Sequence, residues 1–251
     1  MMGLPLLPST FVGRRSMLLE DNFAYYSSGT TWTSVVNNSG TVATGNFSPS
    51  GILFTTGGAD NNYTYTYATN KNFIYIADKP IVFETIFKYS EVATTGTNIG
   101  FGFSDSVVAG SLVDNGGGPA ASFSGAMIYK VDGGSAWKVV SSIGTAQTIS
   151  TVANITPGGT NLVRARIEIR YVNGDAEVSY WMQNVGLLGS NTAGITGGQL
   201  LDSTTLKPIK HTVTAANIAS AAQMTPFFGI KAGTAAAYTA YCHRIAAAMA
   251  Y

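Results

Sequence analysis

From Asp21 onward the chain is written in short runs rich in Val, Ile, Thr, Tyr and Phe, broken by clusters of Gly, Asn, Asp and Ser. That rhythm predicts strands joined by turns. Tyr63-Thr64-Tyr65-Thr66-Tyr67 alternates strictly, which places three tyrosines on one face of a strand and two threonines on the other. Aromatic residues at this period on a central strand are expected to pack between sheets. Further strands are predicted over 72–76, 80–89, 97–103, 123–130, 136–141, 161–171, 175–183, 207–213, 225–232 and 236–246, with a helical pattern only over 214–223. Their number and even spacing predict an all-β fold, a two-sheet antiparallel sandwich or jelly roll. No repeat or linker divides residues 21–251, which read as one domain. Residues 1–20, opening "MMGLPLLPSTFVGRR", have neither period and read as an extended N-terminal arm.

One hairpin can be counted residue by residue. Asn173-Gly174 is the dipeptide that most readily takes the two positive φ values of a type I′ turn. With Val172 facing Asp175, Tyr171 faces Ala176, Arg170 faces Glu177, Ile169 faces Val178, Ile167 faces Tyr180 and Arg166 faces Trp181. The apolar pairs then share one face. The other collects Arg164, Arg166, Glu168, Arg170, Glu177 and Trp181, an opposite-charge ladder with an Arg166–Trp181 cation–π contact.

Composition narrows the classes of function. In 251 residues, 45% are hydrophobic and 11% charged, so the chain folds, with Ser, Thr, Asn and Gly forming much of its wetted surface. The formal charge of +1 is too small for the phosphate neutralisation that nucleic-acid binding requires, so no nucleic-acid partner is expected. Two histidines and one cysteine exclude an internal disulfide and a Cys/His zinc cage. Leu4-Pro5-Leu6-Leu7-Pro8 is too short and proline-broken for a secretory leader, and no apolar run approaches the roughly 18 residues of a membrane helix. A soluble protein without membrane contact is the expectation.

The sequence contains no familiar catalytic pattern. Sandwich glucanases need two carboxyl groups about 5 to 9 Å apart, which alternate positions of one strand can supply. Here Glu84 is flanked at that spacing by Val82 and Ile86, and Glu168 by Arg166 and Arg170, while Asp175 and Glu177 fall at a turn. His211 and His243 lie in no nucleophile motif, and Cys242 next to His243 on a strand points to the opposite face. Asp114-Asn115-Gly116-Gly117-Gly118-Pro119 lacks the Lys-Ser/Thr ending of a phosphate loop. Asp60-Asn61-Asn62, Asp114-Asn115 and Asp132-Gly133-Gly134 bring one carboxylate each, too few for a tight Ca²⁺ site, and read as turns. The expected protein is not an enzyme and holds no cofactor or metal. Trp32, Trp137, Trp181 and the tyrosine stripe are the residues on which a sugar ring could stack.

The arm carries the candidate contact residues. Leu4, Leu6, Leu7 and Phe11 would bury apolar area against a partner, with Arg14 and Arg15 pairing acidic groups at the rim. The segments "DNF" at 21–23, "KPIVFETIFKYSEVATTGTNIGFGFSD" at 79–105, "LVDNGGGPAASFSGAMIYKVDGGSAWKVV" at 112–140 and "FFGIKAG" at 227–233 together resemble a group of tailed-bacteriophage virion proteins with concanavalin A-like (LamG-type) jelly rolls. The resemblance spans most of 21–246, fits least over 184–206, and contains no motif that fixes an activity. It implies a structural, non-enzymatic capsid decoration or cement protein. Such a protein would be made in the bacterial cytoplasm and bound to the outer head surface. Its partners would be the major capsid protein and further copies of itself, as a homo-oligomer with a trimer favoured. The same fold allows another role, a lectin-like module of a head fibre or tail that binds host glycan.

Overall fold

The computed structural model describes residues 16–45, 50–76, 78–89, 96–113, 117–155, 157, 162–186 and 198–250. In chain order the strands begin with β1 (Ser16–Asp21), β2 (Trp32–Val36), β3 (Thr41–Thr44), β4 (Ile52–Thr55), β5 (Tyr63–Ala68) and β6 (Ile81–Lys88). Next come β7 (Thr97–Ser104), β8 (Leu112–Val113), β9 (Gly118–Pro119), β10 (Gly125–Lys130), β11 (Lys138–Ile143) and β12 (Ala146–Thr151). The chain closes with β13 (Leu162–Val172), β14 (Asp175–Gly186), β15 (Lys210–Val213), the helical turn α1 (Ala215–Ile218), β16 (Thr225–Ala232) and β17 (Thr239–Ala250).

These strands form two antiparallel sheets laid face to face. The eight-stranded sheet runs β15-β14-β13-β6-β17-β4-β3, with β1 added alongside β17, and the seven-stranded sheet runs β12-β11-β10-β7-β16-β5-β2. Alternation on the long strands decides which residues meet between them. Phe83 and Phe87 of β6 and Phe54 of β4 meet Phe101 of β7 and Phe228 of β16, with ring centroids 4.7 Å apart for Phe87–Phe101 and 5.0 Å for Phe54–Phe228. Trp137 closes one end of this row against Phe87 and Phe101, and the buried Trp32 packs against Phe23. Each such ring brings about 1.5–3 kcal/mol of burial, and favourable ring geometry adds to it.

The counted hairpin is present in the expected register, from Val172 opposite Asp175 to Arg166 opposite Trp181. Asn173 and Gly174 take φ of 55° and 89°, as a type I′ turn requires. The carboxylate of Asp175 then accepts a bond from the backbone N–H of Ala215 at 2.9 Å and fixes the start of α1.

Elsewhere the structure departs from the pattern. Of 72–76 only Phe73 pairs, in a bridge to Met224. The edge strands β2, β3 and β12, rich in Thr and Ser, carry too little apolar periodicity to be read, and β4, between β17 and β3, is only four residues long. Residues 16–20, assigned to the arm, pair in register with β17, Ser16 opposite Ala250 and Glu20 opposite Ala246. Asp21 ties this strand down by accepting bonds from Trp32 Nε1 and the backbone N–H of Phe23, both at 2.7 Å.

The tyrosine stripe faces the other way from the expectation. Thr64 and Thr66 point between the sheets, and Tyr63, Tyr65 and Tyr67 lie on the outer face of the seven-stranded sheet. Glycine makes this possible: a Cβ on Gly229 would stand 2.0 Å from Cδ1 of Tyr65, so the ring folds flat over the neighbouring strand. Leu112, on the β8–β9 hairpin, covers the same face above Gly100. The inward threonines bond their hydroxyls, Thr64 to the Thr55 carbonyl at 2.9 Å and Thr66 with Tyr26 at 3.1 Å.

A second polar group lies inside the sandwich. His211 of β15 is 3% exposed, with Nδ1 3.2 Å from both Ser141 Oγ and Tyr180 Oη and Nε2 3.1 Å from Ser150 Oγ. Burial pushes its pKa down to about 4, against an opposing pull from Asp202. Cys242 is sealed in the core as a buried thiol, pushed up to about 12.

Two outcomes follow for stability. Gly174→Ala should cost about 1 kcal/mol, because an L side chain resists the positive φ there, and should lower the urea midpoint without changing the m-value. His211 is neutral when folded and titrates near 6.5 when unfolded, so its contribution is complete above pH 6.5 and is lost as the pH falls towards 4. The loss is on the order of 3 kcal/mol. His211→Phe should flatten the dependence of unfolding free energy on pH between 4 and 6.5; an unchanged slope would assign that dependence to other groups.

Candidate functional site

The two sheets divide their charge unequally. No strand of the seven-stranded sheet contains Asp or Glu. Among the described residues the strand carboxylates, Glu20, Asp21, Glu84, Glu168, Asp175 and Glu177, all belong to the eight-stranded sheet. On its outer face Glu84 of β6 lies between two guanidiniums, Arg164 at 2.8 Å and Arg244 at 3.1 Å, and Arg244 reaches on to Glu20 at 3.0 Å. Glu168 of β13 is held by its neighbours two residues away, Arg166 at 3.3 Å and Arg170 at 2.5 Å. The ladder predicted across the hairpin therefore shares one face but is paired differently: Glu177 turns from Arg170 to Lys210 of β15, at 2.9 Å.

These pairs account for the carboxylates on β6 and β13. A retaining or inverting glycosidase needs one carboxyl group as acid and another as nucleophile or base. Glu84 and Glu168 are each committed to two arginines, and the sheet opposite offers no carboxylate on its strands.

The aromatic candidates separate clearly. Trp32 and Trp137 are buried in the core. Trp181 of β14 stands on the outer face, with the Arg166 guanidinium 5.7 Å from its ring centroid as the register predicts. Beside it lies a cavity of about 160 Å³, walled by Ser179 and Glu177 of the same strand, Glu168 and Arg170 of β13, Lys210 of β15, and Gln199. Gln199 arrives through backbone pairing of 198–200 with β14: Met182 N donates to the Gly198 carbonyl at 2.8 Å and Leu200 N to the Tyr180 carbonyl at 2.9 Å. Sequence reading singled out Trp181 and its charged neighbours but missed Lys210 and Gln199, which only the strand order brings there. Gln199 falls within 184–206, the stretch that fits the resemblance least.

The loop candidates behave as turns. Asn61 takes φ of 64° and its N–H bonds the Asp60 carboxylate at 2.9 Å, while Gly133 takes φ of 71°. Among the described residues no three His, Cys, Asp or Glu side chains gather as metal ligands, and no helix is long and apolar enough to cross a membrane. Leu4, Leu6, Leu7, Phe11, Arg14, Arg15 and the Asp114–Gly116 part of the glycine loop lie outside the described residues.

The architecture is that of the concanavalin A-like lectin jelly roll. Peanut lectin superposes with a TM-score of 0.58 at 11% identity, over 94% of this chain and 97% of that one. An endo-1,3-β-glucanase from Streptomyces sioyaensis superposes at 0.57 with 11% identity, over 99% of each chain, and lectin I of Ulex europaeus, solved with the methyl glycoside of α-L-fucose, at 0.52 with 12% identity, over 94% and 98%. At these identities the likeness is one of fold, and that fold is shared by sugar-binding proteins and by a hydrolase. No family model and no curated protein sequence matches the chain.

The charge network has a measurable signature. Glu84→Ala strands the largely buried Arg164 guanidinium, leaves Arg244 with Glu20 alone, and should cost about 3 kcal/mol. Lys210→Ala removes a half-exposed pair worth less than about 1 kcal/mol. Urea denaturation of the two variants should therefore differ several-fold in effect, and equal losses would show that the Glu84 network is no stronger than a surface pair.

Proposed function

We propose that this protein is a non-catalytic attachment module, a decoration protein bound to the outer surface of a bacteriophage head. The observation that carries the non-catalytic part is the placement of carboxylates: none on the strands of the seven-stranded sheet, and those of β6 and β13 bound in ion pairs. The virion part is supported by the sequence resemblance over most of 21–246.

Attachment in this reading is mechanical. The sandwich lies across subunit boundaries of the shell and adds buried surface that expansion must overcome. The arm contributes Leu4, Leu6, Leu7 and Phe11, each about 1.5–3 kcal/mol when buried. Ordering the arm costs about 1–2 kcal/mol per residue, so a single arm gains little, and repetition over a lattice supplies the strength. A lectin-like role is the second reading, favoured by the partly exposed Trp181 and its polar cavity.

The experiment is recapture by virions stripped of this protein. The full chain should rebind the head, and a chain lacking residues 1–15 should fold, because β1 is retained, yet rebind at least tenfold more weakly. Undiminished rebinding would remove the arm from the mechanism, and density on tail fibres instead of the head by cryo-EM would remove the decoration reading. Release of reducing sugar from β-1,3-glucan, abolished by one Asp or Glu substitution, would overturn the non-catalytic reading.

A further inference from the structure

The cavity beside Trp181 has the composition of a ligand site and not of a gap between ion pairs. Its four charged residues satisfy one another, Arg170 with Glu168 and Lys210 with Glu177, so its wall has no uncompensated charge to offer an ion. What stays unbonded is neutral. The Ser179 hydroxyl, the Gln199 side-chain amide and the Trp181 indole N–H have no hydrogen-bond partner among the described residues. A hydroxyl, a primary amide and an indole together present donors and acceptors in mixed order, suited to the hydroxyl groups of a sugar. The indole supplies an apolar surface beside them, and the Arg166 guanidinium lies over its ring, 5.7 Å from the centroid.

Size limits the occupant further. About 160 Å³ is below the roughly 300–1,000 Å³ of pockets that enclose drug-sized ligands, and matches a single pyranose ring with the rest of its chain in solvent. We propose that this pocket, on the outer face of the eight-stranded sheet, is a subsite for one ring of a neutral polysaccharide. The C–H face of the sugar lies along Trp181, and its hydroxyls bond Ser179, Gln199 and the indole N–H. This inference rests on the lectin-like reading and gives it a location and a ligand class. An acidic sugar would need a cation not already paired, and the pocket wall offers none.

Because Trp32 and Trp137 are sealed in the core, tryptophan fluorescence that an external quencher can reach reports on Trp181. The full chain is titrated with dextran, mannan, galactan and chitin oligosaccharides, and with polygalacturonate as the charged counterpart, while acrylamide quenching is followed. One neutral polymer should protect the fluorescence and polygalacturonate should not. Trp181→Ala should weaken binding of that polymer, measured by calorimetry, at least tenfold. Gln199→Ala removes a group with no internal partner, so it should weaken binding about fivefold with an unchanged melting temperature. A neutral polymer bound equally well by both variants would place the sugar elsewhere, overturning the subsite while leaving the lectin-like reading intact. Binding of none of the neutral polymers would overturn both. Trp181-dependent binding of polygalacturonate alone would overturn the neutral ligand class.

Discussion

Phe101 is the side chain on which the sandwich closes. It comes from the centre of the seven-stranded sheet and touches Phe83 and Phe87 of the opposite sheet, Phe228 beside it, and Trp137 at the end of the row. Packing at this density leaves no room for a charged group along the middle of the inner faces: the buried Lys130 sits at the end of β10 and donates to the Thr97 carbonyl at 3.2 Å, and His211 bonds Ser141, Tyr180 and Ser150. Charge is thereby displaced outward, and since one outer face is roofed by Leu112 and the tyrosines, most of it gathers on the other. The ionic ladder of the eight-stranded sheet is thus a by-product of how the core is filled as much as a feature in its own right.

How much of this could be read in the sequence follows the range of the interaction involved. The Asn173-Gly174 hairpin was legible to the residue because a turn type and a period of two determine it locally. The same period told that Tyr63, Tyr65 and Tyr67 share a face but not which one, since that depends on Gly229 lying one strand away and on what covers it. The short strands β2, β3 and β4 owe their existence to neighbours distant in sequence. The candidate pocket was half legible for a like reason: Trp181 and the arginines stand on the counted hairpin, while Lys210 and Gln199 join them through the order of strands.

The fold by itself is permissive, accommodating in its neighbours both lectins and a glucanase. The difference lies in what a particular chain places on its outer surfaces. Here one surface is roofed by Leu112 and aromatic side chains and carries no carboxylate on its described strands, and the other pairs Glu84 and Glu168 with arginines and Glu177 with Lys210.

The pairing of β1 with β17 sets Ser16 opposite Ala250, so the chain enters and leaves the sandwich at the same point. A tether pulling on residue 16 meets that ladder from its open end. A pull across the sheet then makes the hydrogen bonds between β1 and β17 yield in succession, as in a zipper, whereas a pull along the strand loads them together in shear. Under such a crosswise pull β1 would peel from its end, lengthening and slackening the tether while the aromatic centre stayed closed.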